Sequence, residues 1–174
     1  MTSRERDPAL RLAELSPAAL NALLADDLAE ASRVAGVRLT GFFTAADAKN
    51  VWKRRLDQIA ADPEDARWIA RAGVTADGTV VGHAGFHARP DGEGRVEVAY
   101  AVDPAHRRRG HARAMLRALL ARAEEEPEVR IVRAAISPDN AGSLATIAGH
   151  GFEEVGEQWD EEDGRELLFE LRLR

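Results

Sequence analysis

The segment from Arg95 to Ile136 leaves this chain few ways to fold. "RVEVAYAV" (95–102) puts Val96, Val98, Tyr100 and Val102 at alternate positions, so it reads as a strand, which Asp103-Pro104 closes. A helix follows from about Gly110 to Ala123, with Met115, Leu116, Leu119, Leu120 and Ala123 at helical spacing. "VRIVRAAI" (129–136) is the next strand. Strand, helix, strand in one sheet predicts a parallel pair joined by a right-handed crossover. The domain is therefore α/β and layered, with helices on the sheet faces.

The flanks fit that frame. "ALRLAEL" (9–15) alternates weakly, as a first strand would. Ser16-Pro17 reads as N-cap and first helical residue of a helix that carries Leu20, Leu23, Leu24 and Leu28 on one face and stops at Gly36. "VRLTGFF" (37–43) reads as a loop. Thr44, with Asp47 three residues on, opens a second helix that Asp62-Pro63 ends. "WIARAGVT" and "TVVGHAGFHA" flank the turn Ala76-Asp77-Gly78 as a hairpin. A short helix starts at Asn140, and "FEEVGEQW" (152–159) and "ELLFELRL" (166–173), with Leu167, Phe169, Leu171 and Leu173 on one side and Glu166, Glu170 and Arg172 on the other, form a last hairpin around "DEEDG". The expected order is β-α-α-β-β-β-α-β-α-β-β. Residues 9–174 read as one domain without repeats or linkers, and Met1–Pro8 as a loose tail.

Composition excludes several classes. The chain has no cysteine, which removes thiol nucleophiles, Cys-ligated metals and disulfides. No apolar run approaches the ~18 residues of a membrane span, and the N-terminus lacks the apolar core of a signal peptide, so the reading is cytoplasmic with no membrane partner. Net charge is −6, a poor balance for a nucleic-acid binder, which needs a broad basic face. Yet 104–123 holds six arginines and no acid, whereas 153–170 holds nine acids and one arginine. A compact positive spot in an acidic protein suits a small anion.

That spot is "HRRRGHAR" (106–113), between a strand end and a helix start. A helix N-terminus presents backbone N–H groups without intrahelical partners, and the macrodipole adds positive charge. Gly110 and Ala112 are small enough for a phosphate to approach the main chain, and flanking guanidiniums add charge-assisted contacts. The run is neither a nucleotide P-loop nor a dinucleotide fingerprint. Arg107-x-x-Gly110-x-Ala112 after a strand does resemble the acetyl-CoA pyrophosphate loop of the GNAT superfamily of N-acetyltransferases. Residues 94–120 look like that family's whole strand–loop–helix. "ISPDNAGSLATIAGHGFEEVGE" (136–157) resembles its next motif, Asn-x-x-Ser before an apolar helix and Gly-Phe. The likeness runs over about 65–173 and looks closest to the Rim-type branch, which acetylates protein N-termini.

The resemblance implies a mixed, mostly antiparallel sheet of roughly six or seven strands flanked by about four helices. It implies acetyl-CoA as co-substrate, a primary amine as acceptor and no metal. Direct attack on the thioester would need a base, a polarised carbonyl and a proton for the leaving thiolate. Arg107, Arg108, Arg109, Gly110, His111 and Ala112 would hold the diphosphate, and Asn140 and Ser143 the pantetheine end. The backbone of Ala101 and Val102 would pair with pantetheine if a bulge opens the strand there. Glu97, on a face with small Ala99 and Ala101, is the candidate base; a rim carboxylate or an ion-paired one is the alternative. Many relatives carry a tyrosine on the helix after the Asn, and "NAGSLATIAGHGF" has none, so Ser143 is the candidate near the thiol. Plain helix capping is the other reading of Asn140 and Ser143. Tyr100, opposite Glu97 by parity, reads as a core or bulge residue.

His83 and His87 lie ~13 Å apart along one strand and cannot converge on one ion; one of them could edge the cleft. In the resembled fold the acceptor sits between the "GVRLTGFF" loop and the last hairpin, so Asp160–Asp163 would make an acidic mouth for a cationic amine. The bland alternative is a soluble hairpin tip. A noncatalytic coenzyme-binding sensor domain of the same fold is the rival to the enzyme, and the assembly is left open, a homodimer included.

Overall fold

The computed structural model describes residues 9–174; the tail expected at Met1–Pro8 lies outside them. Seven strands form one sheet: β1 (Leu10–Glu14), β2 (Arg71–Thr75), β3 (Val80–Phe86), β4 (Arg95–Val102), β5 (Ile131–Ile136), β6 (Glu153–Asp160) and β7 (Gly164–Arg172). Their spatial order is β1-β2-β3-β4-β5-β7-β6. Every neighbouring pair is antiparallel except β4–β5, the crossover pair expected from the sequence. The helices are α1 (Pro17–Leu24), α2 (Leu28–Ala35), α3 (Ala46–Ala61), α4 (His111–Glu125) and α5 (Ala141–Ile147). None of these is long and apolar enough to cross a membrane.

Even-numbered residues of β3 and β4 face α4: a Cβ on Gly73, which pairs with Gly82, would meet the Met115 side chain. Odd-numbered ones face α3, as His83 does against the Trp52 ring, 4.8 Å away. Gly85 is fixed by close approach, since a Cβ there would collide with the Ile69 carbonyl. Leu20, Leu23, Phe43, Trp52, Phe86 and Met115 are fully buried, and Trp52 Nε1 donates to the Phe43 carbonyl at 2.8 Å.

Three local expectations are corrected. The helix expected from Pro17 to Gly36 is two helices. Asp26 takes a left-handed φ of 58°, and the Asp27 carboxylate accepts from Glu30 N at 3.0 Å as an N-cap, so the second aspartate starts a new helix. The loop at 37–43 contains a 3₁₀ turn, Gly41–Thr44, whose Thr44 hydroxyl donates to the Gly41 carbonyl; α3 starts without a side-chain cap. In β7 the polar face is not solvated throughout: Glu170 is 9% exposed.

Candidate active site

β4 and β5 are in register from Arg95↔Ile131 to Glu97↔Arg133 and no further, although both strands continue. Past Glu97 the two strands diverge, and the opening is a wedge. β4 itself stays regular against β3, with partners running without a shift from Phe86↔Val98 to Gly82↔Val102. The opening is thus a splay of β5, not a bulge in β4.

Antiparallel pairing alternates, so one parity of β4 spends its backbone groups on β3. His87 N donates to the Glu97 carbonyl and Asp103 N to the Val81 carbonyl, each at 2.8 Å, which assigns the odd residues to β3. Ala101, paired with His83, belongs to that set. The backbone groups of Tyr100 and Val102 point the other way, into the wedge.

Below the wedge lies a cavity of about 630 Å³. Arg107, Arg108, Gly110, His111, Ala112 and Arg113 line one wall; Asn140, Ser143 and Thr146 of α5 line the other; Tyr100 and Val102 close the end. Arg109 and Ala101 do not line it. Gly110, the residue before α4, sits at φ 79°, a conformation that favours glycine, and offers no side-chain cap. The side chains of Ser16, Asp27 and Asn140 cap α1, α2 and α5. At α4 the first-turn N–H groups are left bare beside arginines, and no acid lines the cavity. His111 Nδ1 is buried and without a partner. This donor set fits a diphosphate.

A second cavity of about 730 Å³ opens on the other face of the sheet. Its floor is the odd row His83, Gly85, His87, Glu97 and Ala99; α3 supplies Arg54 and Arg55; the β6–β7 hairpin supplies Asp160 to Asp163, with Glu166 on β7. Arg54 Nη1 meets Glu162 Oε2 at 2.8 Å across the mouth, and Arg55 Nη1 donates to the His87 carbonyl at 2.9 Å. Burial, then the nearby Arg55, pushes His83 down to about 4; His87, half exposed beside Arg54 and Arg55, is shifted in the same direction, so both rings are neutral at pH 7. Glu97 moves the other way. Burial raises its proton affinity, the Glu166 and Asp160 charges add to the rise, and Arg133 opposes it.

Tyr100 borders both cavities and the wedge between them. Parity does place it opposite Glu97, but β5 has moved away there, so its ring reaches the opening. Burial raises its hydroxyl above the ordinary phenol, and hydrogen bonding with Ser143 and Thr146 pulls it partly back. Sequence parity alone missed this placement, because the divergence of β5 leaves no mark in the β4 residues.

Comparison with known proteins gives the family and agrees with the fold. Residues 34–152 match the family model described as Acetyltransferase (GNAT) family. The uncharacterized N-acetyltransferase YjdG of Bacillus subtilis (strain 168) is 33% identical over 73 residues, 42% of this chain. The match spans only 44% of that protein. Among solved structures, Mycobacterium smegmatis RimJ in complex with CoA-disulfide superposes with a TM-score of 0.60 at 20% identity, over 94% of this chain and 85% of that one. A spermidine N-acetyltransferase chimera from Vibrio cholerae and hSSAT gives 0.65 at 12% identity, over 94% and 95%. At these identities the likeness is one of fold.

Proposed function

The chain belongs to the GNAT acetyltransferase family, and on that premise we propose that it transfers an acetyl group from acetyl-CoA to a primary amine by direct attack in a ternary complex. The observation that carries this reading is the junction of two cavities at Tyr100, one positive and one acidic, on opposite sides of the β4–β5 splay.

The bare first turn of α4, with Arg107 and Arg108, holds the diphosphate. Asn140 and the wedge-facing backbone of Tyr100 and Val102 hold the pantetheine arm, and the thioester then lies at the wedge. The acceptor enters from the acidic cavity. Glu97 takes the ammonium proton, freeing the lone pair to attack the thioester carbonyl carbon. The new C–N bond forms as the C–S bond breaks; the departing thiolate takes a proton from Tyr100, which Ser143 supports, and the surplus proton of the acylated nitrogen passes through solvent to return the Tyr100 phenolate to phenol. A neutral pair of histidines beside Glu97 adds no positive charge to repel an ammonium group.

The acceptor in this reading is cationic. Six carboxylates line its cavity against two arginines, both already engaged with protein partners. The Asn140–Ser143 pattern fits the Rim-type branch, which makes a protein N-terminus the first acceptor to try, and polyamines the second. A cytoplasmic location goes with an acetyl-CoA donor.

The test is thiol release from acetyl-CoA over a panel of peptides, polyamines and amino acids, with coenzyme binding followed by calorimetry. We expect micromolar binding and release with at least one basic acceptor. Binding without release across the panel would mark a sensor domain and end the catalytic reading.

A further inference from the structure

Three charged side chains stand in one row across the sheet, on the face that floors the acceptor cavity. Glu97 on β4 is in register with Arg133 on β5, and Arg133 is in register with Glu170 on β7. Register partners on adjacent strands project to the same face with backbones ~4.8 Å apart, so Arg133 has a carboxylate within reach on either side. It engages only one. Arg133 Nη2 and Nε donate to Glu170 Oε1 at 2.6 and 3.1 Å, and Arg95 Nε donates to the same oxygen at 2.9 Å. Among the described residues no guanidinium comes within ion-pair distance of Glu97, which meets His87 Nε2 at 3.6 Å.

Stability alone is a weak reason for a buried charge cluster, because replacing all of its members by apolar residues is often neutral; once Arg95 and Arg133 are present, Glu170 is what satisfies both guanidiniums. The remaining groups facing Glu97 share one tendency. Glu166 on β7 and Asp160 on the hairpin repel its ionised form, and His87, just past the end of β3, is neutral. Asp163 also borders the wedge beside it. On α3, Arg54 is held by Glu162 and Arg55 by the His87 carbonyl. Arg133 is the one cation in the row beside Glu97, so the direction it faces decides how basic that carboxylate is.

The geometry points to Glu170 as a positioning residue: by holding Arg133 turned toward β7, it leaves Glu97 without a paired guanidinium, with Arg133 acting on it only at a distance, and so able to take the acceptor's proton. This rests on Glu97 being the base, and the test separates the two ideas. The full-length protein carrying Glu170→Gln, Arg133→Gln or both is titrated by ¹³C NMR at the Glu97 carboxyl, the resonance being the one lost in Glu97→Gln. The pH dependence of kcat/KM is measured on the same samples.

In Glu170→Gln the Glu97 midpoint should fall by about half to one pH unit, as Arg133 swings over. In Arg133→Gln it should rise, and the double variant should coincide with Arg133→Gln, because Glu170 acts only through the arginine. An unmoved midpoint in Glu170→Gln overturns the proposal. So does a double variant lying below Arg133→Gln by the Glu170→Gln amount, which would be the direct field of Glu170 itself. Should Glu170→Gln fail to fold, the absence of any rise in Arg133→Gln overturns it equally. A carboxyl midpoint that moves while the rate profile stays in place leaves the positioning role standing and removes Glu97 as base.

Discussion

The two cavities that meet at Tyr100 are built by different rules. The cavity proposed for the coenzyme is made by two short runs, residues 100–113 and 140–146, and much of what it offers a ligand is main chain: a glycine turn, bare first-turn amides and strand groups freed by the splay. The acceptor cavity draws on α3, β3, β4, β7 and the β6–β7 hairpin, and its character is set by side chains. One is lined by arginines and no acid, the other by six acids and two arginines. On the proposed reading, an anionic coenzyme and a cationic amine would each be steered to one door and repelled from the other. A main-chain site is tied to one ligand shape; a side-chain site can change its ligand by point substitution. The comparison teaches that substitutions on one side should leave the other side's binding intact.

The sharpest way to break that separation is Glu97→Gln. It should lower kcat by about 10²–10³-fold, the usual contribution of a positioned base, with coenzyme Kd unchanged within about twofold as read by calorimetry. The same variant gives the pH test. Because burial raises the Glu97 proton affinity, the wild-type kcat/KM should fall with acid at a pH above the ordinary carboxylate range, as the base becomes protonated. That acid limb should vanish in the variant. A coenzyme affinity that collapses with Glu97 would mean the two cavities are one site.

The reciprocal variant is Gly110→Asp. Aspartate tolerates a left-handed backbone better than most residues and can cap a helix, so the fold should survive. Its carboxylate would occupy the anion cradle. We expect coenzyme Kd to rise about 100-fold, and the NMR midpoint of Glu97 to stay where it is.

How much of this was legible follows from the same contrast. The strand–loop–helix at 95–125 could be read because its signals are local: alternation in β4, Asp103-Pro104, Gly110 and the spacing of Met115, Leu116 and Leu119. Of the residues expected around that loop, Arg107, Arg108, Gly110, His111 and Ala112 line one cavity with Asn140 and Ser143, and Arg109 does not. The direction of the Ala101 backbone could not be read, because it depends on which β4 residues pair with β3. Nor could Tyr100, whose access depends on β5 leaving its neighbour. Asp26-Asp27 concealed a helix break, since the leucine spacing runs on through both residues. Glu170 alternates with apolar neighbours as a solvated residue would, and only the register with Arg133 shows it buried.

Tyr100→Phe tests the junction. Removing the hydroxyl proposed to protonate the thiolate should cost kcat about 10- to 30-fold, roughly 1.4–2 kcal/mol, while coenzyme and acceptor affinities hold within a factor of about two. Because the loss falls on leaving-group departure, an acetyl donor with a more acidic thiol should recover most of the rate in the variant. Equal loss with both donors would reduce Tyr100 to packing.

The smallest effect belongs to the hairpin, where the choice of residue decides whether the experiment means anything. Asp160 accepts from Glu162 N and Asp163 N at 2.8 and 2.9 Å and so shapes the turn. Glu162 is tied to Arg54. Glu161 and Asp163 line the cavity without such duties, so Glu161→Gln with Asp163→Asn removes two charges and little else. At low ionic strength kcat/KM for a dicationic acceptor should fall about three- to tenfold, and its decline with added salt should flatten, because exposed charges act through a screened field. A monocationic acceptor should lose less, and coenzyme Kd should not move at all. If mono- and dicationic amines respond alike, the mouth is only a soluble loop tip, and acceptor preference must come from the floor, where His83 and Glu97 lie.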